Sequence, residues 1–118
     1  MKGNLRIEMK SFIALTLVIA AFSTSAASQH GKVIGYIPYS VGDKEVIIFK
    51  IENNVSKGCN VTGRFAMDSS SLRYKATLSS IMSAYHSKTP IRVNYLETCN
   101  SWGNTADANF VCIGDINC

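Results

Sequence analysis

Four cysteines carry the clearest chemistry in this chain: Cys59, Cys99, Cys112 and Cys118. Thiols in such a set either join in disulfides or bind a metal. A four-cysteine zinc site takes its ligands in pairs that are only about two to four residues apart. No two cysteines here lie that close. The spacing therefore favours two disulfides over zinc, and an even number of cysteines is typical of small exported domains.

Few side chains are suited to acid–base or nucleophilic catalysis. We expect His30 to lie in a frayed terminal segment, and His86 to lie in the last turn of a helix, where the helix dipole favours a cation. The patterns G-x-S-x-G, H-E-x-x-H and C-x-x-C are absent, and the carboxylates are scattered along the chain. Since no spacing brings a nucleophile to a base, we predict no catalytic residues, no metal and no cofactor.

The first 27 residues predict a signal peptide. Three basic residues precede an apolar run at 12–22, and small residues follow at 23–27. A membrane-spanning helix needs about 20 apolar residues, roughly twice the length of this run. We therefore expect cleavage after Ala26 or Ala27, no membrane span, and a secreted or periplasmic protein. The mature chain, 28–118, has the size of one domain.

The charge of the mature part argues against nucleic acid as a partner. From Ser28 onward the chain has nine Lys or Arg and seven Asp or Glu, a net charge of +2 with no basic run. Proteins that bind nucleic acid concentrate positive charge on one face. We therefore predict no nucleic-acid partner.

Five segments have the pattern of β-strands. They lie at 33–39, 45–52, 59–67, 91–96 and 109–113. In the second segment, Ile47, Phe49 and Ile51 fall on one face, but Val46 and Ile48 make the other face apolar too. Pro38 cannot donate a backbone hydrogen bond, so it marks an edge, a bulge or the end of its strand.

One helix is predicted between the third and fourth strands. Asp68 or a serine after it is expected to cap the start, and Pro90 ends the helix because the residue before a proline avoids the α region. The predicted core face is an apolar stripe formed by Tyr74, Leu78, Ile81, Met82 and Tyr85.

The resulting order, β-β-β-α-β-β, is that of the OB-fold, a small five-stranded barrel. The alternative is a generic α+β sheet with one helix. Four cysteines allow three pairings, which the sequence leaves open. We favour Cys59–Cys99 with Cys112–Cys118, because the helix connects the strand that ends near Cys99 back to the strand that starts at Cys59.

Two stretches resemble the binding (B) subunits of AB5 toxins of the subtilase-cytotoxin and typhoid-toxin kind. Residues 85–95, YHSKTPIRVNY, resemble their helix end, polar turn and strand, and residues 110–118, FVCIGDINC, resemble their closing strand with two cysteines. The resemblance implies an OB-fold, a ring of five subunits, a toxin A subunit as partner and recognition of host-cell glycans. That family places its first disulfide between strands two and three, whereas Cys59 and Cys99 lie on either side of the helix.

The resemblance also implies a glycan-binding residue. Tyr95 matches a tyrosine that contacts the sugar in those subunits, and Ser28 or His30 is the expected polar partner. The alternative is that Tyr95 is a core residue, because it shares a face with Ile91 and Val93. The chain also looks like a group of small uncharacterised exported bacterial proteins, which implies a fold and no function.

Two functions therefore compete. The first is a secreted glycan-binding module like the B subunits, and the second is a monomeric periplasmic or secreted protein with a structural or inhibitory role. Val46 and Ile48 bear on the choice, since they would either form contacts between subunits or be covered by a loop of their own chain.

Overall fold

A computed structural model describes residues 26–53 and 55–118 of the chain. Five strands and one helix follow the predicted order: β1 Ala27–Val41, β2 Lys44–Ile51, β3 Phe65–Asp68, α1 Tyr74–Ser87, β4 Pro90–Leu96 and β5 Ala106–Ile113. The predicted signal peptide lies outside the described residues, except for Ala26 and Ala27.

The strands close into a barrel in the order β1-β2-β3-β5-β4. The pairing of β3 with β5 is parallel, and the other four pairings are antiparallel. The predicted OB-like five-stranded barrel with two disulfides is therefore confirmed. Cys59 is bonded to Cys99, and Cys112 to Cys118, the pairing that the strand order favoured.

The first strand is much longer than predicted. It begins at Ala27, so the expectation that His30 lies in a frayed terminus is wrong: His30 pairs with Arg92 of β4. The polar sequence at 28–32 lacks the alternation that marks a strand, and pairing with β4 supplies the stability instead. An irregularity between Val33 and Gly35 then turns β1 towards β2.

Beyond this irregularity, β1 pairs only with β2. Pro38 lies in that half, opposite Ile47, within the strand and not at its end. Of the three positions that the sequence allowed for Pro38, the structure shows the edge. A missing N–H is tolerated there because one side of the strand has no partner within the described chain.

The second strand contributes to both sides of the barrel wall. Ile47, Phe49 and Ile51 lie in the main core, as the alternation predicted. Val46 and Ile48 are 1% and 3% exposed, and lie in a second cluster under Trp102. A loop of the same chain therefore covers the outer face of β2.

The third strand is shorter than predicted. Only Phe65–Asp68 forms it, and residues 59–64 are a loop in which Gly63 has φ of 70°. This left-handed conformation suits glycine and interrupts the strand. The disulfide from Cys59 to Cys99 holds this loop against the one after β4.

The helix begins and ends close to the predicted positions, but its core face differs. Tyr74, Thr77, Ile81 and Ala84 are the buried residues, and Leu78 is half-buried. Two members of the predicted apolar stripe are instead exposed, Met82 by 41% and Tyr85 by 40%. The barrel meets a different face of the helix from the predicted one, so Thr77 and Ala84 are buried while Met82 and Tyr85 reach solvent.

Backbone conformation, and not side-chain capping, determines where the helix begins and ends. The N-cap is Arg73, which makes no side-chain capping bond, so the predicted cap at Asp68 or a serine is wrong. At the other end, Lys88 adopts the left-handed conformation with φ of 58°. The N–H of Thr89 then donates to the carbonyl of Ala84 over 3.1 Å, which closes the helix before Pro90.

Candidate functional site

The three residues predicted to bind a glycan do not share one face of the barrel. Ser28 and His30 are exposed and lie opposite Asn94 and Arg92 of β4. Tyr95 lies on the other face of β4, where it pairs with Ala27 and packs against the main core. Its ring centre is 5.0 Å from that of Phe65. Contact of Tyr95 with a sugar stays a prediction.

The surface around Ser28 and His30 is occupied by structural contacts. Arg92 donates through Nη2 to the carbonyls of Gly114 and Ile116, at 3.1 and 2.5 Å. It thereby holds the C-terminal tail that the Cys112–Cys118 disulfide closes. Asn94 accepts a hydrogen bond from the side chain of Asn109 over 3.2 Å. These contacts use polar groups that a ligand at this surface would need.

A groove lies where the end of α1 meets the irregular part of β1. We call it the helix-end groove; it has a volume of about 290 Å³. Its lining residues are Lys32, Val33, Ile34, Glu52, Tyr85, His86 and Lys88. Aromatic, aliphatic and charged side chains of both signs therefore meet in one concave surface.

The strand side of the helix-end groove is fixed by a reciprocal contact. The N–H of Lys32 donates to Oε1 of Glu52, and the N–H of Glu52 donates to the carbonyl of Lys32, each over 2.9 Å. Gly31 makes this approach possible, because a Cβ at that position would lie 2.8 Å from the carbonyl oxygen of Glu52. The backbone that carries Lys32 is therefore held in place.

Aromatic contacts fix the helix side of the groove. The rings of Tyr36 and Tyr85 meet edge to face, with centres 5.5 Å apart and planes at 77°. The Tyr36 hydroxyl lies 3.4 Å from Nε2 of His86. Tyr85 and His86 also meet edge to face, with centres 5.3 Å apart. This arrangement orients the exposed Tyr85 ring before any ligand arrives.

The charge of the helix-end groove is positive. Two lysines, Lys32 and Lys88, face one glutamate, Glu52. Charges of one sign in a concave surface attract ligands of the opposite sign.

Sequence reasoning missed this groove. It assigned Tyr85 to the core stripe and treated His86 only as a residue favoured by the helix dipole. The chain carries no clear local signal for this groove, because its other wall comes from β1, far from Tyr85 and His86 in the sequence.

Two carboxylates, Asp107 and Asp68, hold loops together. Asp107 accepts hydrogen bonds from the Thr98 hydroxyl over 2.5 Å and from the N–H groups of Asn100 and Ser101. Asp68 accepts from Ser70 and, over 3.1 Å, from the Ser101 hydroxyl. These bonds fix the loops on either side of the barrel end.

The environment of Asp68 also shifts its acidity. Burial alone raises the pKa of this carboxyl, but the hydrogen bonds from Ser70 and Ser101 and the charge of Lys44 outweigh burial. The net result is a pKa below the ordinary value. Nearby, burial and the charge of Glu45 raise the pKa of Tyr74. Both groups serve the structure, since neither lines the helix-end groove.

In residues 26–53 and 55–118 there is no group of three or more His, Cys, Asp or Glu placed to hold a metal ion. Within those same ranges, no helix is long and apolar enough to cross a membrane.

Comparison with known proteins gives no relative from which a function could be transferred. The chain matches no protein-family model, no curated protein and no solved structure.

Proposed function

We propose that this protein is a secreted glycan-binding module of the kind found in AB5 toxin B subunits, and that the sugar binds in the helix-end groove. The observation that carries the proposal is the Tyr85 ring, 40% exposed and held by Tyr36 beside charged side chains. A sugar offers apolar C–H faces to an aromatic ring and hydroxyls to polar groups around it. The helix-end groove supplies both kinds of contact.

The charge of the helix-end groove points to an acidic sugar. Lys32 and Lys88 lie at the rim with a single opposing carboxylate, Glu52. Charge-assisted hydrogen bonds from lysine to a sugar carboxylate are stronger than bonds between neutral groups. We therefore expect sialylated glycans to bind better than their neutral counterparts.

The two disulfides are compatible with this function. Disulfides persist in oxidising compartments, so the pairs in this domain are compatible with an extracellular or periplasmic protein. A ring of five subunits with a toxin A subunit is part of the same proposal. Residues 34–41 of β1 pair only with β2, which leaves an edge that a second copy could extend.

A monomeric protein with a structural or inhibitory role is the second candidate. The observation that favours it is the coverage of Val46 and Ile48 by Trp102 of the same chain. Those two residues are therefore unavailable as a contact between subunits. The mass of the mature protein in solution separates the candidates: about five protomers per particle supports the toxin-like module, and a single protomer supports the alternative.

A glycan array tests the proposed activity. The unsubstituted mature protein should bind sialylated glycans, and Tyr85→Ala should abolish that binding. Met82→Ala is the matched control, because Met82 is equally exposed on the same helix but does not line the helix-end groove. Tyr95→Ala tests the residue that the resemblance implied. If binding survives Tyr85→Ala and is lost with Tyr95→Ala in a folded protein, the sugar binds elsewhere.

A further inference from the structure

A second groove lies on the outer face of the barrel, between β1 and β2. We call it the outer-face groove; it has a volume of about 290 Å³, and its main lining residues are Gly35, Ile37, Ile48, Lys50 and Arg64. Gly35 pairs with Lys50, and Ile37 with Ile48. A Cβ at Gly35 would meet no atom within 4 Å, so the absence of a side chain there opens the groove.

The charged groups of the outer-face groove are both positive. Lys50 and Arg64 line it, and no carboxylate does. Nη2 of Arg64 donates to Oδ1 of Asn104 over 3.2 Å. Its Nε is buried and has no hydrogen-bond partner within the described residues. Buried polar groups are nearly always bonded, so this N–H is a donor for which the rest of the described chain supplies no acceptor.

An apolar surface extends along β1 from the end of the groove where Lys50 and Arg64 lie. Gly35, Ile37 and Tyr39 lie on one face of β1, over a distance of about 13 Å at the rise of a β-strand. Ile37 and Tyr39 are 46% and 53% exposed. The Tyr39 ring meets the Trp102 ring edge to face, with centres 5.5 Å apart. The apolar surface therefore leads from the two cations to an aromatic pair.

We propose that the outer-face groove binds a small amphiphile with one anionic head group. Lys50 and Arg64 bind the head group through their positive charges. The apolar tail lies over Gly35 and Ile37 and ends beside Tyr39 and Trp102. A carboxylate with an unbranched alkyl chain fits both requirements, because it joins one acceptor of negative charge to a narrow apolar tail. This site is separate from the helix-end groove and does not depend on glycan binding.

Trp102 provides a direct test, because it is the one tryptophan of the chain. The probe is 11-bromoundecanoate, whose bromine quenches tryptophan fluorescence at close range. Titration of the mature protein below the micelle concentration should give saturable quenching. Undecanoate should compete without quenching. The neutral analogue 11-bromoundecan-1-ol should bind about tenfold more weakly, because it lacks the charge that the two cations bind.

Two variants complete the test. Gly35→Leu fills the groove without removing a charge, and Lys50→Gln removes a charge without filling the groove; each should weaken quenching about tenfold. Lys75→Gln, an equal change of charge on the exposed side of α1, should have no effect. Lack of saturable quenching, equal binding of the alcohol, or unchanged binding in a folded Lys50→Gln variant would each overturn the proposal. Lys50→Gln decides the matter if Gly35→Leu does not fold.

Discussion

The hydroxyl of Tyr36 lies 3.4 Å from Nε2 of His86, a contact between residues 50 positions apart in the chain. Tyr36 belongs to β1 and His86 to the last turn of α1. The contact joins the two elements that form the walls of the helix-end groove, and Tyr36 also packs edge to face against Tyr85. A ligand that stacks on Tyr85 meets a surface already ordered, so little conformational entropy is lost on binding.

The helix should be most sensitive to substitution on its buried face. Ile81 is fully buried, so Ile81→Ala should lower the free energy of unfolding by roughly 2–5 kcal/mol. Leu78→Ala should cost less, because Leu78 is only half-buried. Met82→Ala should change the free energy by no more than about 0.5 kcal/mol. Urea unfolding measures the loss in free energy of unfolding for each of the three variants. A loss in Met82→Ala as large as that in Ile81→Ala would contradict the expected order.

The helix also shows where sequence reasoning succeeds and where it stops. Its position and limits were predictable, because apolar spacing and Pro90 depend on local chain geometry. Which helix residues are buried was not predictable. Thr77 and Ala84 are buried, and Met82 and Tyr85 are exposed, because burial depends on how closely the barrel approaches the helix. The same limit applies to the helix-end groove. Its two walls come from β1 and from the end of α1, which lie far apart in the sequence, so no local pattern predicts that they meet.

For the strands too, local pattern predicted part of the structure and long-range pairing determined the rest. Alternation located Ile47, Phe49 and Ile51 in the core, since a period of two follows directly from strand geometry. The start of β1 escaped prediction because residues 28–32 are polar and are held by β4, which lies far away in the sequence. Even so, the order of the elements was sufficient to predict the barrel.

The two disulfides should contribute unequally to stability. The Cys59–Cys99 bond closes a loop of 40 residues, and the Cys112–Cys118 bond closes one of 6. In the chain-entropy model the first contributes about 4 kcal/mol and the second about 2 kcal/mol. We would replace each cysteine pair by serines and measure the free energy of unfolding in urea. The variant without Cys59–Cys99 should lose more stability. A larger loss from the C-terminal pair would show that the tail held by Arg92 matters more than loop closure.

Acid should weaken the fold partly through Asp68. Its folded-state pKa lies below the ordinary value of about 3.9, so its contribution to stability is present above that value and is lost as the pH falls through the lower folded pKa. The free energy of unfolding should therefore decrease below about pH 4. Ser70→Ala removes the hydroxyl hydrogen bond that lowers this pKa, and the variant should lose less stability between pH 4 and about pH 2 than the unsubstituted protein. A parallel decrease in both proteins would exclude Asp68 as a contributor.

The most direct test of the central claim is to map a bound sugar onto the barrel by NMR. ¹⁵N-labelled mature protein is titrated with 3′-sialyllactose, and with lactose as its uncharged counterpart. We predict saturable amide shifts at Lys32–Ile34 and Tyr85–Lys88 with sialyllactose, much weaker shifts with lactose, and none in Tyr85→Ala. Shifts centred on Ser28, His30 and Tyr95, or the absence of shifts with sialyllactose, would contradict glycan binding in the helix-end groove.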